Sequence, residues 1–137
     1  MIVNTSTGKV YFTRDELKCK GSGECTLNFT FANELLGLRA EFDRAMTVTS
    51  CCRSKAYNEE IEGHPRSLHI CDETAHGHKG TAAIDIKMQD GEYNHRLLKV
   101  ATSRGWSIGI NFEKKFFHLD RRTDLGIGRD RPVVFSY

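Results

Sequence analysis

Apolar residues recur with helical spacing in two stretches of this chain. In the first stretch they follow one another at steps of four, three and four: Phe31, Leu35, Leu38 and Phe42. This spacing predicts a helix over 28–42 with one buried face, and Asn28 or Thr30 is suited to cap it. The second stretch repeats apolar residues at Tyr93, Leu97, Val100 and Ala101. It predicts a helix over 91–103 that Gly105 terminates.

Short segments rich in β-forming residues account for most of the remaining apolar positions. They predict strands at 47–49, 81–88, 106–112, 116–120 and 133–137. Short helical turns are expected at 13–17 and 53–61, and the loop over 64–80 is rich in His, Gly and Asp. Helices and short strands that do not alternate regularly are typical of an α+β fold. We therefore predict one small domain over 1–137, with a mainly antiparallel sheet flanked by helices.

Composition and charge exclude several classes of protein. The chain carries 20 basic and 18 acidic side chains, and this net charge of +2 is too balanced to favour a nucleic-acid partner. No segment approaches the roughly 20 apolar residues of a membrane span, and the first residues lack the apolar core of a signal peptide. We therefore expect a protein that is cytoplasmic as synthesised, without stable membrane insertion.

The cysteine pattern favours reduced thiols over a disulfide framework. Five cysteines is an odd number, and they occur without a signal peptide. The alternative is a small metal clip formed by Cys19 and Cys25, although their spacing is not a standard one for zinc.

Histidines carry the clearest chemical signal in the sequence. Four of them lie in the loop just before the strand that bears Asp85: His64, His69, His76 and His78. His118 lies on a later predicted strand. A catalytic zinc takes three protein ligands and leaves one position for water, which two histidines and Asp85 would satisfy. Because His118 stands between large apolar residues, a buried structural histidine is the alternative.

Five short segments occur in an order that is typical of one family. They are YFTRDELKC at 11–19, VTSCCRS at 48–54, GHPRSLH at 63–69, GTAAIDI at 80–86 and FFHLD at 116–120. In this order they resemble the zinc D-alanyl-D-alanine carboxypeptidase family, whose fold group includes hedgehog N-terminal domains and many phage endolysins. The family counterparts of the last four are V-T-S-G-Y-R-S, G-x-P-x-S-x-H, G-x-A-x-D-I and F-[IV]-H-[VL]-D. The resemblance implies that fold and a zinc ion held by His69, Asp85 and His118.

Two positions depart from the family pattern. His69 matches the S-x-H segment but stands sixteen residues before Asp85, whereas His78 has the family spacing of seven residues without the preceding serine. We interpret 70–79 as a loop insertion and predict His69 as the ligand, with His78 and then His76 as alternatives. Many relatives also have an acidic residue three positions before the last histidine, and here Lys115 occupies that position.

The other expected site residues follow from chemistry and from the resemblance. The base that takes a proton from the attacking water is predicted as Asp120, with Glu113 the close alternative. The alternative role for Asp120 is to orient a ligand histidine, and the alternative for Glu113 is a solvated turn residue. The resemblance supports Arg53 as the group that binds a substrate carboxylate. Ser67 is expected either to bond within the site or to cap the loop.

These observations together predict a zinc metallopeptidase. The resemblance implies that it cleaves peptidoglycan stem peptides next to a D-amino acid, as a carboxypeptidase or an endopeptidase. We expect a monomer, and the absence of a signal peptide suits a phage lysis enzyme or a virion component. One alternative is a zinc-stabilised binding domain that has lost catalysis, which Lys115 favours. The other is a structural cell-wall or phage protein without a metal.

Overall fold

The chain folds into one mixed α/β domain, seen here in a computed structural model that describes residues 1–127 and 131–137. Its elements, in order, are β1 Ile2–Val3, β2 Val10–Phe12, α1 Arg14–Leu17, α2 Phe29–Phe42, β3 Val48–Ser50, α3 Lys55–Glu60, β4 Ala83–Lys87, α4 Gly91–Ser103, β5 Ser107–Asn111, β6 Phe116–Asp120, a 3-10 turn Arg122–Leu125 and β7 Val134–Ser136. Each predicted helix and strand is present, with ends shifted by one or two residues. The hairpin of β1 and β2 was not predicted.

The main sheet has five strands in the order β3-β4-β6-β5-β7. All neighbours pair antiparallel except β5 and β7, which run parallel. The central pair is β4 and β6, and the tight turn over 112–115 joins β5 to β6. A mainly antiparallel sheet with helices around it confirms the predicted α+β class.

Both long helices begin and end where the sequence supplies the required chemistry. Asn28 caps α2, since its Oδ1 accepts a hydrogen bond from the backbone N–H of Phe31 at 3.1 Å. Asp90 caps α4 by accepting from the N–H of Tyr93 at 2.9 Å. Beyond α4 the chain turns at Gly105 with a φ of 80°, a conformation that glycine adopts without strain.

The core lies between these helices and one face of the main sheet. All four apolar residues of the α2 face are fully buried: Phe31, Leu35, Leu38 and Phe42. Trp106 packs edge to face against Phe31 with ring centroids 5.9 Å apart, so it belongs to the core and not to the cleft. No helix in the described parts of the chain is both long and apolar enough to cross a membrane.

The two central strands send alternate side chains to opposite faces of the sheet. Ile84 and Ile86 on β4 join the apolar core, as does Leu119 on β6. Because side chains alternate along a strand, Asp85 and His118 must point to the other face. The sheet therefore carries its polar site on the side away from the packed helices.

Candidate metal centre

Asp85 and His118 lie directly opposite each other on β4 and β6. They are register partners in the antiparallel pair, and their side chains project to the same face. The Asp85 Oδ1 and His118 Nδ1 atoms are 3.1 Å apart. Neither side chain is more than a tenth exposed. Strand pairing alone thus brings together two residues that are separated in the sequence.

His69 reaches the same point from the loop that precedes β4. Its backbone carbonyl accepts hydrogen bonds from the Arg53 N–H at 2.9 Å and the Thr81 hydroxyl at 2.8 Å. Its own N–H donates to the Ser67 hydroxyl at 3.2 Å. These bonds hold the His69 backbone between the chain after β3 and the chain before β4. The His69 Nε2 atom then lies 3.0 Å from Asp85 Oδ1.

The far nitrogen of each histidine ring donates to an oxygen that can only accept. His69 Nδ1 lies 2.7 Å from the carbonyl oxygen of Cys51, and His118 Nε2 lies 2.8 Å from Asp120 Oδ2. Both bonds place a proton on the outer nitrogen. They leave His69 Nε2 and His118 Nδ1 to face Asp85, which is the arrangement found around metal-binding histidines.

The donor atoms suit a zinc ion. His69, Asp85 and His118 each offer one ligand atom, and these atoms lie within 4.8 Å of one another. Ligands about 2.0–2.1 Å from a tetrahedral zinc lie about 3.4 Å apart, so slight opening of the 3.0 Å and 3.1 Å contacts would admit the ion. Two nitrogens and a carboxylate oxygen are also the donor types that zinc accepts.

The pKa shifts differ among His69, Asp85 and His118, which we call the triad. Burial lowers the pKa of His69, so its ring is neutral at pH 7. Burial also opposes a charge on His118, but hydrogen bonds to Asp120 and Asp85 outweigh it and raise the pKa of His118 to about 9. Burial alone would raise the pKa of Asp85, but the hydrogen bond from protonated His118 helps to hold it well below its usual range. Neutral His69 Nε2 and ionised Asp85 Oδ1 are then two acceptors in contact, an arrangement that a cation stabilises.

Of the loop histidines, His69 places a ring nitrogen beside Asp85, and His76 and His78 do not. His76 lines the cleft beside the triad, and the ring of His78 lies 6.1 Å from that of His76 in a stacked arrangement. Neither contributes a ligand atom to the group formed by His69, Asp85 and His118. The segment 70–79 forms the loop between His69 and the start of β4, as expected of an insertion.

Asp120 is fully engaged by neighbouring groups. Besides His118, its carboxylate accepts from Arg122 Nη2 at 2.7 Å, Arg122 Nε at 3.0 Å and the Arg122 backbone N–H at 2.9 Å. It has no exposed surface. Burial alone would raise the pKa of Asp120, but these partners hold it at about 2. This environment favours the alternative role, in which Asp120 orients His118.

Glu113 and Lys115 lie in the turn between β5 and β6. Both are exposed, and Lys115 has a φ of 59°. Among the described residues, the turn contributes Lys114 to the cleft, but not Glu113 or Lys115. The acids that do line the cleft are Glu62, Asp85 and Asp120.

Arg53 stands beside the triad on the segment that follows β3. Its Nη2 lies 3.6 Å from Asp85 Oδ2, its Nε donates to the Ser50 hydroxyl at 3.1 Å and its Nη1 donates to Asn58 Oδ1 at 3.3 Å. Asn58 also donates to the His64 carbonyl at 2.9 Å, so it ties Arg53 to the histidine-rich loop. Asn58 follows the VTSCCRS segment by four residues, but the sequence pattern assigned it no role.

An aromatic wall closes one side of the cleft, which has a volume of about 700 Å³. Its members are Phe116, Phe135 and Tyr137. Gly109 makes room for them, because a Cβ there would lie 2.6 Å from the Phe135 ring and 2.9 Å from the Tyr137 ring. The β-forming residues over 133–137 predicted a strand, but they did not show that the Phe135 and Tyr137 rings reach the site.

Comparison with known proteins agrees with this geometry. Residues 10–120 match the family described as Peptidase M15, and the matched region includes His69, Asp85 and His118. No curated protein matches the sequence. Peptidases of the M15 family depend on zinc, and the His–Asp–His group here offers a candidate site for it. The chain belongs to the M15 peptidase family.

Proposed function

We propose that this protein is a zinc peptidase that hydrolyses peptidoglycan stem peptides at a bond next to a D-amino acid. The observation that carries the zinc site is the contact between His69 Nε2 and Asp85 Oδ1 at 3.0 Å, two acceptors that a cation would bridge. The outer nitrogen of each histidine is already hydrogen-bonded. A preorganised ligand set of this kind is costly to bury without a metal.

Each residue of the site has a distinct task in this proposal. His69, Asp85 and His118 would hold the zinc, which when bound lowers the pKa of a coordinated water and polarises the peptide carbonyl. Asp120 keeps the His118 ring in one tautomer and one orientation. Ser67 fixes the turn from which His69 projects.

The charge of the cleft supports an acidic peptide as the substrate. Four cationic side chains line it: Arg53, Arg66, Lys114 and Arg122. Arg122 is paired with Asp120, and Arg53 lies 3.6 Å from Asp85. Among the described residues Arg66 and Lys114 form no salt bridge, so they add most directly to the field that attracts carboxylates. Stem peptides carry several free carboxylates, and the aromatic wall offers apolar contact for their aliphatic side chains. Arg53, anchored by Ser50 and Asn58, is placed to bind the carboxylate nearest the scissile bond.

The direct test is cleavage of purified muropeptides by the zinc-loaded protein, followed by mass spectrometry. Release of free D-alanine identifies a carboxypeptidase, and division of cross-linked dimers identifies an endopeptidase. The His118→Ala variant serves as the inactive control. If the protein binds zinc tightly but leaves every muropeptide intact, the proposal fails and the zinc-stabilised binding domain takes its place.

Substituting Asp120 by Asn should weaken zinc binding by roughly tenfold to a hundredfold, the usual effect of losing a partner that orients a metal-bound histidine. Glu113→Gln is the matched control, because that carboxyl is exposed in a turn outside the cleft. It should leave zinc affinity and activity unchanged. Competition with a chromophoric chelator measures the affinity. Normal zinc affinity in Asp120→Asn with abolished turnover would instead identify Asp120 as the proton acceptor.

Arg53→Lys should raise KM by roughly tenfold to a hundredfold for substrates with a free terminal carboxylate, because a charge-assisted hydrogen-bond pair is lost. The same peptides with an amidated C-terminus provide the control, since they lack the group that Arg53 binds. Steady-state kinetics on both series gives the comparison. Equal losses on both series would mean that Arg53 acts through Asp85 and not through the substrate.

A further inference from the structure

Two of the five cysteines lie in contact although they come from different segments of the chain. Cys25 belongs to the loop before α2, whereas Cys52 follows β3. Their Sγ atoms are 3.9 Å apart, and Cys52 Sγ also lies 3.8 Å from the carbonyl oxygen of Thr26. Both cysteines are free thiols. The proposed reaction uses neither of them, so the pair is free to carry a chemistry of its own.

Backbone hydrogen bonds hold the segments that carry the two thiols. The neighbours of Cys25 on both sides accept such bonds through their carbonyls, Glu24 at 2.7 Å and Thr26 at 2.8 Å. The N–H of Cys52 donates to the last carbonyl of α1 at 3.0 Å. The contact between the two sulfurs therefore follows from the folded backbone on each side of it.

The two thiols differ in their access to solvent. Cys25 is half-buried, whereas only 2% of the surface of Cys52 is exposed. A dissolved reagent therefore reaches Cys25 first, and Cys52 reacts with a group that is already attached to Cys25. An accessible attacking thiol beside a second, resolving thiol is the usual arrangement of cysteines that undergo reversible oxidation.

We propose that Cys25 and Cys52 form a disulfide by exchange with a low-molecular-weight disulfide. The Cys25 thiolate first attacks one sulfur of that reagent, which forms a mixed disulfide and releases one thiol. The Cys52 sulfur then attacks Cys25 Sγ, breaks the mixed disulfide and releases the second thiol. The two cysteines lose two electrons to the reagent, and their two protons leave on the two released thiols. Closure from 3.9 Å to a sulfur–sulfur bond of about 2.05 Å requires the sulfurs to approach by about 1.9 Å.

The cross-link fixes the loop before α2 to the segment that presents Arg53. Cys52 immediately precedes Arg53, and on its other side the Cys51 carbonyl accepts from His69 Nδ1 at 2.7 Å. The closed loop contains all of α2 and β3, and a disulfide across such a loop stabilises a fold mainly by constraining the unfolded chain. The midpoint of thermal unfolding should therefore rise by about 5–10 °C on oxidation.

The surroundings of the protein decide which form exists. Thiols stay reduced in the cytoplasm, whereas disulfides persist in oxidising surroundings such as the periplasm and the cell surface. The proposed function has its substrate outside the cytoplasmic membrane, and this step of the inference rests on that function. The protein is then a dithiol where it is made and is cross-linked where it acts.

Cys19 supplies the matched control within the same chain. It is buried like Cys52, but its Sγ faces the Ser54 hydroxyl at 3.8 Å and the Ser22 N–H at 3.5 Å. The sulfur neighbour of Cys25 is Cys52, which differs from the clip of Cys19 and Cys25 considered from the sequence. Cys19→Ser should therefore form the same disulfide as the parent.

The test is incubation of the reduced full chain with oxidised glutathione, followed by intact-mass measurement and peptide mapping. The parent and Cys19→Ser should lose two thiols and yield two peptides linked through Cys25 and Cys52, without retained glutathione. Cys52→Ser should stop with one glutathione on Cys25, because the resolving thiol is missing. Cys25→Ser should leave Cys52 unmodified, because no accessible thiol carries glutathione to it. Calorimetry of the reduced and cross-linked parent measures the shift in the unfolding midpoint.

Two results with the parent alone would overturn the cross-link, so the test does not depend on how the variants fold. One is a parent that keeps all its thiols or collects only glutathione adducts. The other is a disulfide between a different pair, such as Cys52 and Cys71. A cross-linked parent that unfolds at the same temperature as the reduced one, or below it, would overturn the stabilising role. A protein that forms the Cys25–Cys52 disulfide but cleaves no muropeptide would refute the proposed function and leave the cross-link standing.

Discussion

His69→Ala is expected to lower the affinity of the candidate metal centre for zinc by more than a hundredfold and to abolish peptidase activity. Loss of a partner that merely orients a ligand costs roughly tenfold to a hundredfold, and loss of a ligand itself should cost more. His69 is almost fully buried with its Nε2 aimed at Asp85. Its removal leaves a cavity that another side chain does not fill, so the zinc would keep only two protein ligands.

His78→Ala is the decisive comparison for this prediction. His78 has the family spacing to Asp85 in the sequence, whereas the ring of His69 is the one that contacts Asp85 in the structure. The His78 and His76 variants should retain zinc, because neither ring belongs to the group of ligand atoms, and the His78 variant should also retain activity. Chelator competition and muropeptide cleavage should be measured for all three variants. If His78→Ala loses zinc while His69→Ala retains it, the loop must rearrange on metal binding and the ligand assignment is wrong.

Zinc should bind the candidate metal centre about fiftyfold more tightly at pH 9 than at pH 7. Hydrogen bonds to Asp120 and Asp85 overcome the effect of burial and raise the pKa of His118 to about 9 in the metal-free protein. Below that pH the ring is protonated, so zinc must displace one proton and the apparent affinity rises about tenfold per pH unit. Above the pKa the ring is neutral and the affinity levels off. His69 does not contribute to the pH dependence of zinc affinity in this range, because burial lowers its pKa.

The pH prediction has an internal control in Asp120→Asn. That substitution removes a negative charge that helps to raise the pKa of His118, so the rise should end at a lower pH. A zinc affinity that stays flat from pH 7 to pH 9, after correction for the chelator, would show that His118 is already neutral.

Local periodicity was enough to predict most of the fold. The steps of four and three among the α2 residues predicted the buried helix face, and all four residues are buried. Strand alternation likewise placed Asp85 and His118 on the polar face. The β1–β2 hairpin was missed, because two strands of two and three residues are too short to show a period. The parallel pairing of β7 with β5 was missed because pairing depends on residues distant in the chain.

The sequence by itself determined the α+β class, the strands that carry Asp85 and His118, and the resemblance that the M15 match supports. These features follow from residue type and from periods of two and 3.6, which act over a few neighbours. Only the tertiary structure showed that His69, the predicted ligand, lies beside Asp85 and that His78 does not. The bonds of the His69 carbonyl to Arg53 and Thr81 hold it there, although the family spacing alone favours His78. It also decided the partners of Asp120, because neither residue type nor periodicity specifies which side-chain atoms meet.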